Sequence, residues 1–271
     1  MTKIRDSVVL ITGGAAGIGK LMGERCLKGK ARCLVIWDIN EENLDKTTAE
    51  FREHGYEIHP YVVDVSKLND IKKAAADVKE NVGNVNILFN NAGVVVGKNF
   101  IDHTHKDIDF TVDINVSALM HVALEFLPGM VEENKGHVIN ISSAAGLLAN
   151  PRMSVYAGSK WAVAGWSESL RLELEKDHPK VKVTTVHPSY IDTGMFTGAK
   201  VNPLVPVLKP EYAAKEIVKA VKRNEILLHM PALVKVLPFL KGTMPTRMFD
   251  LLVGKGMNVY DSMAHFSGHK N

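Results

Sequence analysis

Short apolar runs alternate along this chain with longer stretches whose apolar residues recur at three- and four-residue spacing. The runs fall at 7–11, 33–37, 58–63, 85–89, 136–142, 181–187 and 225–229, and the longer stretches at 17–29, 41–54, 67–81, 105–134, 153–177 and 210–223. A strand-length run that stays apolar throughout reads as a strand covered on both faces, and the spacing between runs is that of amphipathic helices. Strand and helix in alternation imply right-handed crossovers, which build a parallel sheet with helices on both sides. The expected fold class is α/β, a doubly wound parallel sheet of about seven strands with helices on both faces, formed by a single domain over 1–271. Gly198 to Pro210 carries three prolines, and 230–271 is rich in Met, Pro, Gly and Lys. About 195–271 therefore reads as loops and short helices added to the same domain, placed to form a lid.

The chain has 271 residues, 46% of them hydrophobic and 23% charged, which is enough for a core without disulfide or metal support. Its two cysteines, Cys26 and Cys33, are too few for a disulfide framework and suit a reducing compartment. A net charge of +3, with basic residues scattered along the chain, gives no footprint for nucleic acid. Val8-Val9-Leu10-Ile11 follows Lys3 and Arg5 but stops at Thr12-Gly13-Gly14, too short for a signal peptide. No segment approaches the ~20 apolar residues of a membrane span, so the expected location is cytoplasmic. The eleven histidines show no ligand spacing, with His103 and His105 one residue apart in a loop, and no metal site is expected.

Thr12-Gly13-Gly14-Ala15-Ala16-Gly17-Ile18-Gly19 stands between the first strand and the first helix. Glycines there let the backbone turn sharply, approach a pyrophosphate and aim a helix amino terminus at it. The second strand ends about 20 residues on at Asp38, whose carboxylate can accept hydrogen bonds from ribose hydroxyls and repels a 2′-phosphate. The next residue, Ile39, supplies no arginine for such a phosphate, so NAD is favoured over NADP. Asp38 also reads as a helix cap or turn residue. Asn90-Asn91-Ala92-Gly93 follows the fourth strand, where small residues suit close approach to a nucleotide and Asn90 also reads as a tie between strands.

Tyr156 and Lys160 share one helical face at i, i+4. An ammonium beside a phenol stabilises the phenolate and lowers its pKa, making a pair that can move a proton to or from a substrate oxygen. Ser143 lies thirteen residues earlier at the end of an apolar strand, where its hydroxyl can hold that oxygen. Ser142 is the adjacent competitor, and Ser143 is preferred on spacing.

Taken together in order and spacing, these residues resemble the short-chain dehydrogenase/reductase family, over about residues 5–200. The resemblance implies a Rossmann fold and nicotinamide-dependent oxidoreduction. It implies Tyr156 as general acid/base, Ser143 orienting the substrate oxygen, and Lys160 lowering the tyrosine pKa while binding the nicotinamide ribose. Asn115 would hold a water that extends the proton relay. Gly13, Gly17, Ile18, Gly19, Asp38, Ile39, Asn91, Ala92 and Gly93 would bind the dinucleotide, with Asp64 and Val65 at the adenine. Pro188, Ile191 and Thr193 would hold the carboxamide end, and Ser189 departs from the glycine that many members carry there.

Val35 to Asn40 and Asp192 to Phe196 resemble the branch containing retinol dehydrogenases and lipid-droplet 17β-hydroxysteroid dehydrogenases. That implies a lipophilic alcohol and its ketone or aldehyde as substrates. Relatives usually carry an amino-terminal anchor, and none is seen here. Met195, Phe196, Leu204, Val205, Val207, Leu208, Met230, Leu233, Val234, Val236, Leu237 and Phe239 are the candidate pocket residues. Lys235, Lys241, Arg247 and Lys255 interleave with Phe249, Leu251 and Leu252, a pattern for peripheral membrane contact as well as for a packed terminal helix with solvated lysines. The family implies a homodimer or homotetramer through the helices at about 105–127 and 153–177. Reduction of small polar carbonyls, and nucleotide sensing without catalysis, are the competing functions.

Overall fold

The computed structural model describes residues 1–199, 206–264 and 266. Strands β1 (Val8–Thr12), β2 (Cys33–Asp38), β3 (Ile58–Val62), β4 (Ile87–Asn90), β5 (Gly136–Ile141), β6 (Val181–Pro188) and β7 (Leu227–Met230) form one sheet in the order β3-β2-β1-β4-β5-β6-β7. Every pairing is parallel. Helices α1 (Gly17–Lys28), α2 (Glu41–Glu53), α3 (Leu68–Asn81), α4 (His105–Val112), α5 (Ala118–Glu132), α6 (Ser154–Asp177) and α7 (Pro210–Arg223) make the crossovers. This is the doubly wound Rossmann arrangement, and the strand order reverses between β1 and β4. Ligands collect in the crevice that such a reversal opens at the carboxy ends of the strands.

Alternate residues of the central strands feed two cores, which explains why the strands read as unbroken apolar runs. Val9, Ile11, Leu34 and Ile36 pack on Met22, Leu27, Ile217 and Val221 of α1 and α7. Val8, Leu10, Val35 and Trp37 pack on α3, α5 and α6 through Ile71, Val78, Phe126 and Leu170. Trp37 meets Phe126 at 5.6 Å between ring centroids.

The helical stretch expected at 105–134 contains a π-helical turn at Asp113–Ser117 between α4 and α5. Such a turn widens the helix locally, and these turns are frequent at functional sites. His105–Glu132 is long enough to cross a membrane and contains an 18-residue stretch with a mean hydropathy of 1.4, against the expectation that no segment reaches that measure. Here its apolar residues serve the core: Leu119, Val122, Ala123, Phe126 and Met130 are buried.

After β7 the chain forms a 3-10 turn (Ala232–Val236), α8 (Leu237–Thr243), α9 (Thr246–Phe249) and a π turn (Asp250–Lys255).

Candidate active site

Thr12 ends β1 and organises both loops of the crevice. Its Oγ1 accepts the Asn91 and Ala92 backbone N–H groups at 3.0 and 3.1 Å. The Asn91 side chain in turn donates to the Thr12 and Gly13 carbonyls at 3.0 and 2.9 Å. Gly13 has φ +62° and lies against Ala92, where a side chain would stand 3.0 Å from the Ala92 Cα. A Cβ at Gly19 would sit 2.1 Å from the Gly13 carbonyl oxygen. The cradle is therefore built of backbone at close quarters. Helix α1 begins at Gly17 with neither a side-chain cap nor an acidic residue in its first turn, which leaves its N–H groups and positive dipole end facing the crevice. A pyrophosphate fits this donor set. Ile18, in the first turn of α1, packs on the core. Thr193 stands across the cradle, with its Cγ2 3.7 Å from where a Gly17 side chain would begin.

Asp38 closes β2 with its Oδ2 accepting Ala15 N–H at 3.0 Å and its Oδ1 accepting Asn40 N–H at 3.0 Å. The turn reading of Asp38 is thus present, and an ionised carboxylate has lone pairs to spare after two bonds. Asn40 caps α2 by accepting from Asn43 N–H. Ile39 is 65% exposed beside it. Asp64 follows β3, accepts from Ser66 and lies 3.2 Å from the Lys67 ammonium, and Val65 packs on the core. Asn90 is buried and donates to Asn140 Oδ1 at 2.8 Å, while Asn140 donates to Ser167 at 2.9 Å. Asn90 thus ties β4 to β5 and α6, and the adjacent Asn91, Ala92 and Gly93 face the crevice loops.

The reacting end is set by α6, β5 and the π turn. Tyr156 and Lys160 are both 5% exposed, with the Lys160 ammonium 5.8 Å from the phenol ring centre. Lys160 Nζ donates to the Ile141 carbonyl at 2.9 Å. Burial pushes the Tyr156 phenol up to about 12, with a hydrogen bond from Ser143 pulling the other way, and burial brings the Lys160 ammonium down to about 8. The expected lowering of the tyrosine by the lysine is not among the causes of its shift: desolvation raises the phenol and Ser143 is the group that favours the phenolate. Ser143 also accepts from Ala145 N–H at 3.1 Å. Ser142 instead donates to the Lys160 carbonyl at 2.9 Å and is buried, a structural role that separates the two serines. Asn115, in the π turn, is fully buried. Its Oδ1 accepts Val94 N–H at 2.8 Å, and its Nδ2 donates to the Val94 carbonyl and Ser159. Its side chain is thus spent on holding the loop after β4. That loop brings Gly93 close to Asn115 and Lys160, 3.2 and 3.5 Å from the position of a Gly93 Cβ.

Beside Tyr156 and Ser143 opens an apolar cavity of about 130 Å³, walled by Met153, Phe196, Leu237, Leu240, Val253 and Met257 among others. Of the candidate pocket residues, Phe196, Leu233, Val234, Val236 and Leu237 line it. Leu208 and Met230 belong to the main core, because Leu208 bridges to Ile191 and both pack on the α7 side of the sheet. Met195 and Val207 lie outside the lining, and Phe239 points outward at 68% exposure. Leu204 and Val205 lie outside the described residues. Pro188 and Ser189 continue β6 into the site, and the Pro188 carbonyl accepts from Ser143 at 3.5 Å.

Sequence reasoning missed the far wall. Tyr190, Asn150 and Ser262 join by hydrogen bonds, Tyr190 Oη to Ser262 Oγ at 3.0 Å and Asn150 Nδ2 to the same Oγ at 3.1 Å. Met263 is fully buried against Met153 and Tyr156. No local pattern around Ser262 points to the site a hundred residues upstream. Thr12 heads the glycine motif in the sequence, but its bonds to the Asn91 loop are visible only in the fold.

Among the described residues, Cys33, Glu57 and His59 have donor atoms within 4.8 Å of one another. They sit at the amino ends of β2 and β3, the opposite edge from the cradle, where Arg32 hydrogen-bonds the Cys33 thiol and His59 pairs with Glu57 at 2.8 Å.

Residues 7–202 match the family described as short chain dehydrogenase. The chain is 37% identical over 271 residues to epidermal retinol dehydrogenase 2 of Mus musculus, covering 98% of this chain and 87% of that protein. It is 35% identical over 250 residues to estradiol 17-beta-dehydrogenase 11 of Rattus norvegicus, covering 92% and 83%. Its fold matches the crystal structure of a short chain dehydrogenase/reductase from Burkholderia phymatum in complex with NAD, with a TM-score of 0.80 at 25% identity over 94% of this chain and 97% of that one.

Proposed function

Because this chain belongs to the short chain dehydrogenase family, we propose that it is an NAD(H)-dependent oxidoreductase that interconverts a lipophilic alcohol and its ketone or aldehyde. The observation that carries the reading is the buried Tyr156 with Ser143 and Lys160 at the mouth of an apolar cavity, next to a backbone cradle fit for a dinucleotide. The relatives named as retinol and estradiol dehydrogenases support an alcohol of that kind. Asp38 supports NAD over NADP, since a 2′-phosphate would meet a carboxylate already facing the α1 loop.

Nicotinamide, when bound, supplies the hydride acceptor or donor. The protein's residues handle the proton and the position of the reacting carbon. Tyr156 holds its proton at neutral pH, since its pKa lies near 12, and donates it to a carbonyl oxygen in reduction. In oxidation the phenolate takes the alcohol proton, and the Ser143 hydroxyl keeps the substrate oxygen in reach. Lys160 places a positive charge below the phenol and is fixed by the Ile141 carbonyl. Gly13, Gly17, Ile18, Gly19, Asp38, Ile39, Asp64, Val65, Asn91, Ala92, Gly93, Pro188, Ile191 and Thr193 are the proposed cofactor contacts. Asn115 is a positioning residue that holds the Val94 loop, and the backbone of its π turn is the place for a relay water. The chemistry assigns no role to a metal. The residues from about 195 on act as the lid of the same domain, in a cytoplasmic homodimer or homotetramer with peripheral membrane contact.

The test is formation of reduced nicotinamide with NAD and with NADP over retinoid, steroid, long-chain and small polar alcohols. Turnover is expected with NAD and the apolar alcohols. Tyr156→Phe should keep NADH affinity while kcat falls by about 10²–10⁴-fold. A variant with near-normal turnover would remove Tyr156 from the chemistry, and preference for small polar carbonyls would favour the second reading.

A further inference from the structure

The segment 232–255 is a single layer with apolar side chains on both sides. Inward, Val234, Leu237, Leu240 and Val253 wall the cavity. Outward, Phe239, Met248, Leu251 and Leu252 are 68, 45, 61 and 51% exposed. Leu233 and Val236 line the cavity and are themselves 43 and 42% exposed, so single side chains separate cavity from surface. A helix standing over water normally turns polar residues outward. Here the outward residues would be hydrated at a cost unless something apolar covers them.

The charge around this face says what covers it. Between Met230 and Lys255 stand four basic residues, Lys235, Lys241, Arg247 and Lys255, and one acidic residue, Asp250, a net of +3. Asp250 is engaged by the Tyr260 hydroxyl and lies near Arg247, whose side chain is 98% exposed. Lys241 sits 4.3 Å from the Trp161 ring centre, which carries the patch onto α6 with a half-exposed aromatic ring. Apolar side chains among cations match an anionic lipid surface, where acyl chains take the former and headgroups the latter. A second copy of the chain docked through the same face would bring +3 against +3.

We propose that 232–255 is a membrane-docking face and that a lipophilic substrate passes from an anionic bilayer into the cavity through the thin wall at Leu233 and Val236. The route rests on the proposed lipophilic alcohol, whereas the docking is measurable without any turnover.

The full-length chain and a Phe239→Asp/Leu251→Asp variant, changed at two exposed positions outside the cavity lining, would be sedimented with two kinds of vesicle. One is phosphatidylcholine alone and the other contains about one-third phosphatidylserine. The parent should bind the anionic vesicles about tenfold better, with binding lost in high salt, and the variant should lose about tenfold. With a short water-soluble alcohol the two proteins should turn over alike, while the variant should be about tenfold slower on a long-chain alcohol dissolved in the vesicles. A parent chain that stays in the supernatant, or a variant that binds like the parent, overturns the docking. A parent that ignores vesicles while the variant's mass in solution falls by half assigns the face to a second copy. If neither alcohol is oxidised, the functional reading fails while the sedimentation result still decides the docking.

Discussion

Lys160 shows how a single buried charge can serve the site and burden the fold. Its ammonium is 5% exposed and is held by one carbonyl, so desolvation brings its pKa from 10.5 to about 8. The unfolded chain therefore binds more protons than the folded one between about pH 8 and 10.5, and stability rises with pH across that window. Below pH 8 the full penalty is present, about 3 kcal/mol at ~1.4 kcal/mol per unit. Lys160→Met removes it and leaves the Ile141 carbonyl one partner short, at a cost of about 1 kcal/mol. The variant should melt a few degrees above the parent at pH 7, lose turnover, and lose its stability advantage as the pH approaches 10.5. Thermal unfolding at pH 7 and pH 10 measures this, and a variant that is less stable at both would show the ammonium to be well solvated by its surroundings.

At the scale of elements, two glycines make opposite predictions. Gly19 has the Gly13 carbonyl where its side chain would be, and both atoms belong to backbone that cannot step aside. Gly19→Ala should abolish dinucleotide binding and lower the melting temperature together. Gly165 lies on exposed α6 with nothing within 4 Å, so Gly165→Ala should stabilise by about 0.5–1 kcal/mol through helix propensity alone. NADH titration and thermal melts of the pair check both signs. The seven strands and the six helical crossovers, with α4 and α5 in one of them, were legible because each central strand is buried on both faces, and local apolar spacing carries that information. The π turn at Asp113–Ser117 was not, since Asp-Ile-Asn-Val-Ser continues the helical pattern and only the contacts of Asn115 with the Val94 loop reveal it. The cradle and Ser143 were legible as residue types at strand ends, and Tyr156 and Lys160 as an i, i+4 pair on a helix. Tyr190, Ser262 and Met263 were not, because they meet only through folding. The direction of the Tyr156 pKa also escaped the sequence, since it depends on burial and not on the neighbouring lysine.

Across the whole molecule, α4, α5 and α6 each leave a large apolar side chain exposed. Phe110, Leu124 and Leu172 are 46, 70 and 54% exposed there, on the helices proposed to pair between copies. Leu124→Glu puts a charge at the most exposed of these and should convert the proposed oligomer to monomer, as light scattering after gel filtration would record. Unchanged mass would exclude the α5 surface from the contact. The fold itself should tolerate the change, because Leu124 faces away from the Val122 and Phe126 core.

The cavity wall also sets an order of assembly. Thr12 and Asn91, which build the dinucleotide cradle, leave the ribosome early; Tyr156 and Lys160 follow; and Val253, Ser262 and Met263 come far later. A nascent chain halted between Lys160 and Val253 has its cradle residues and its reactive phenol but lacks the wall that keeps water from that phenol. A fragment ended there carries the cradle and the phenol but not the residues that enclose an alcohol beside it.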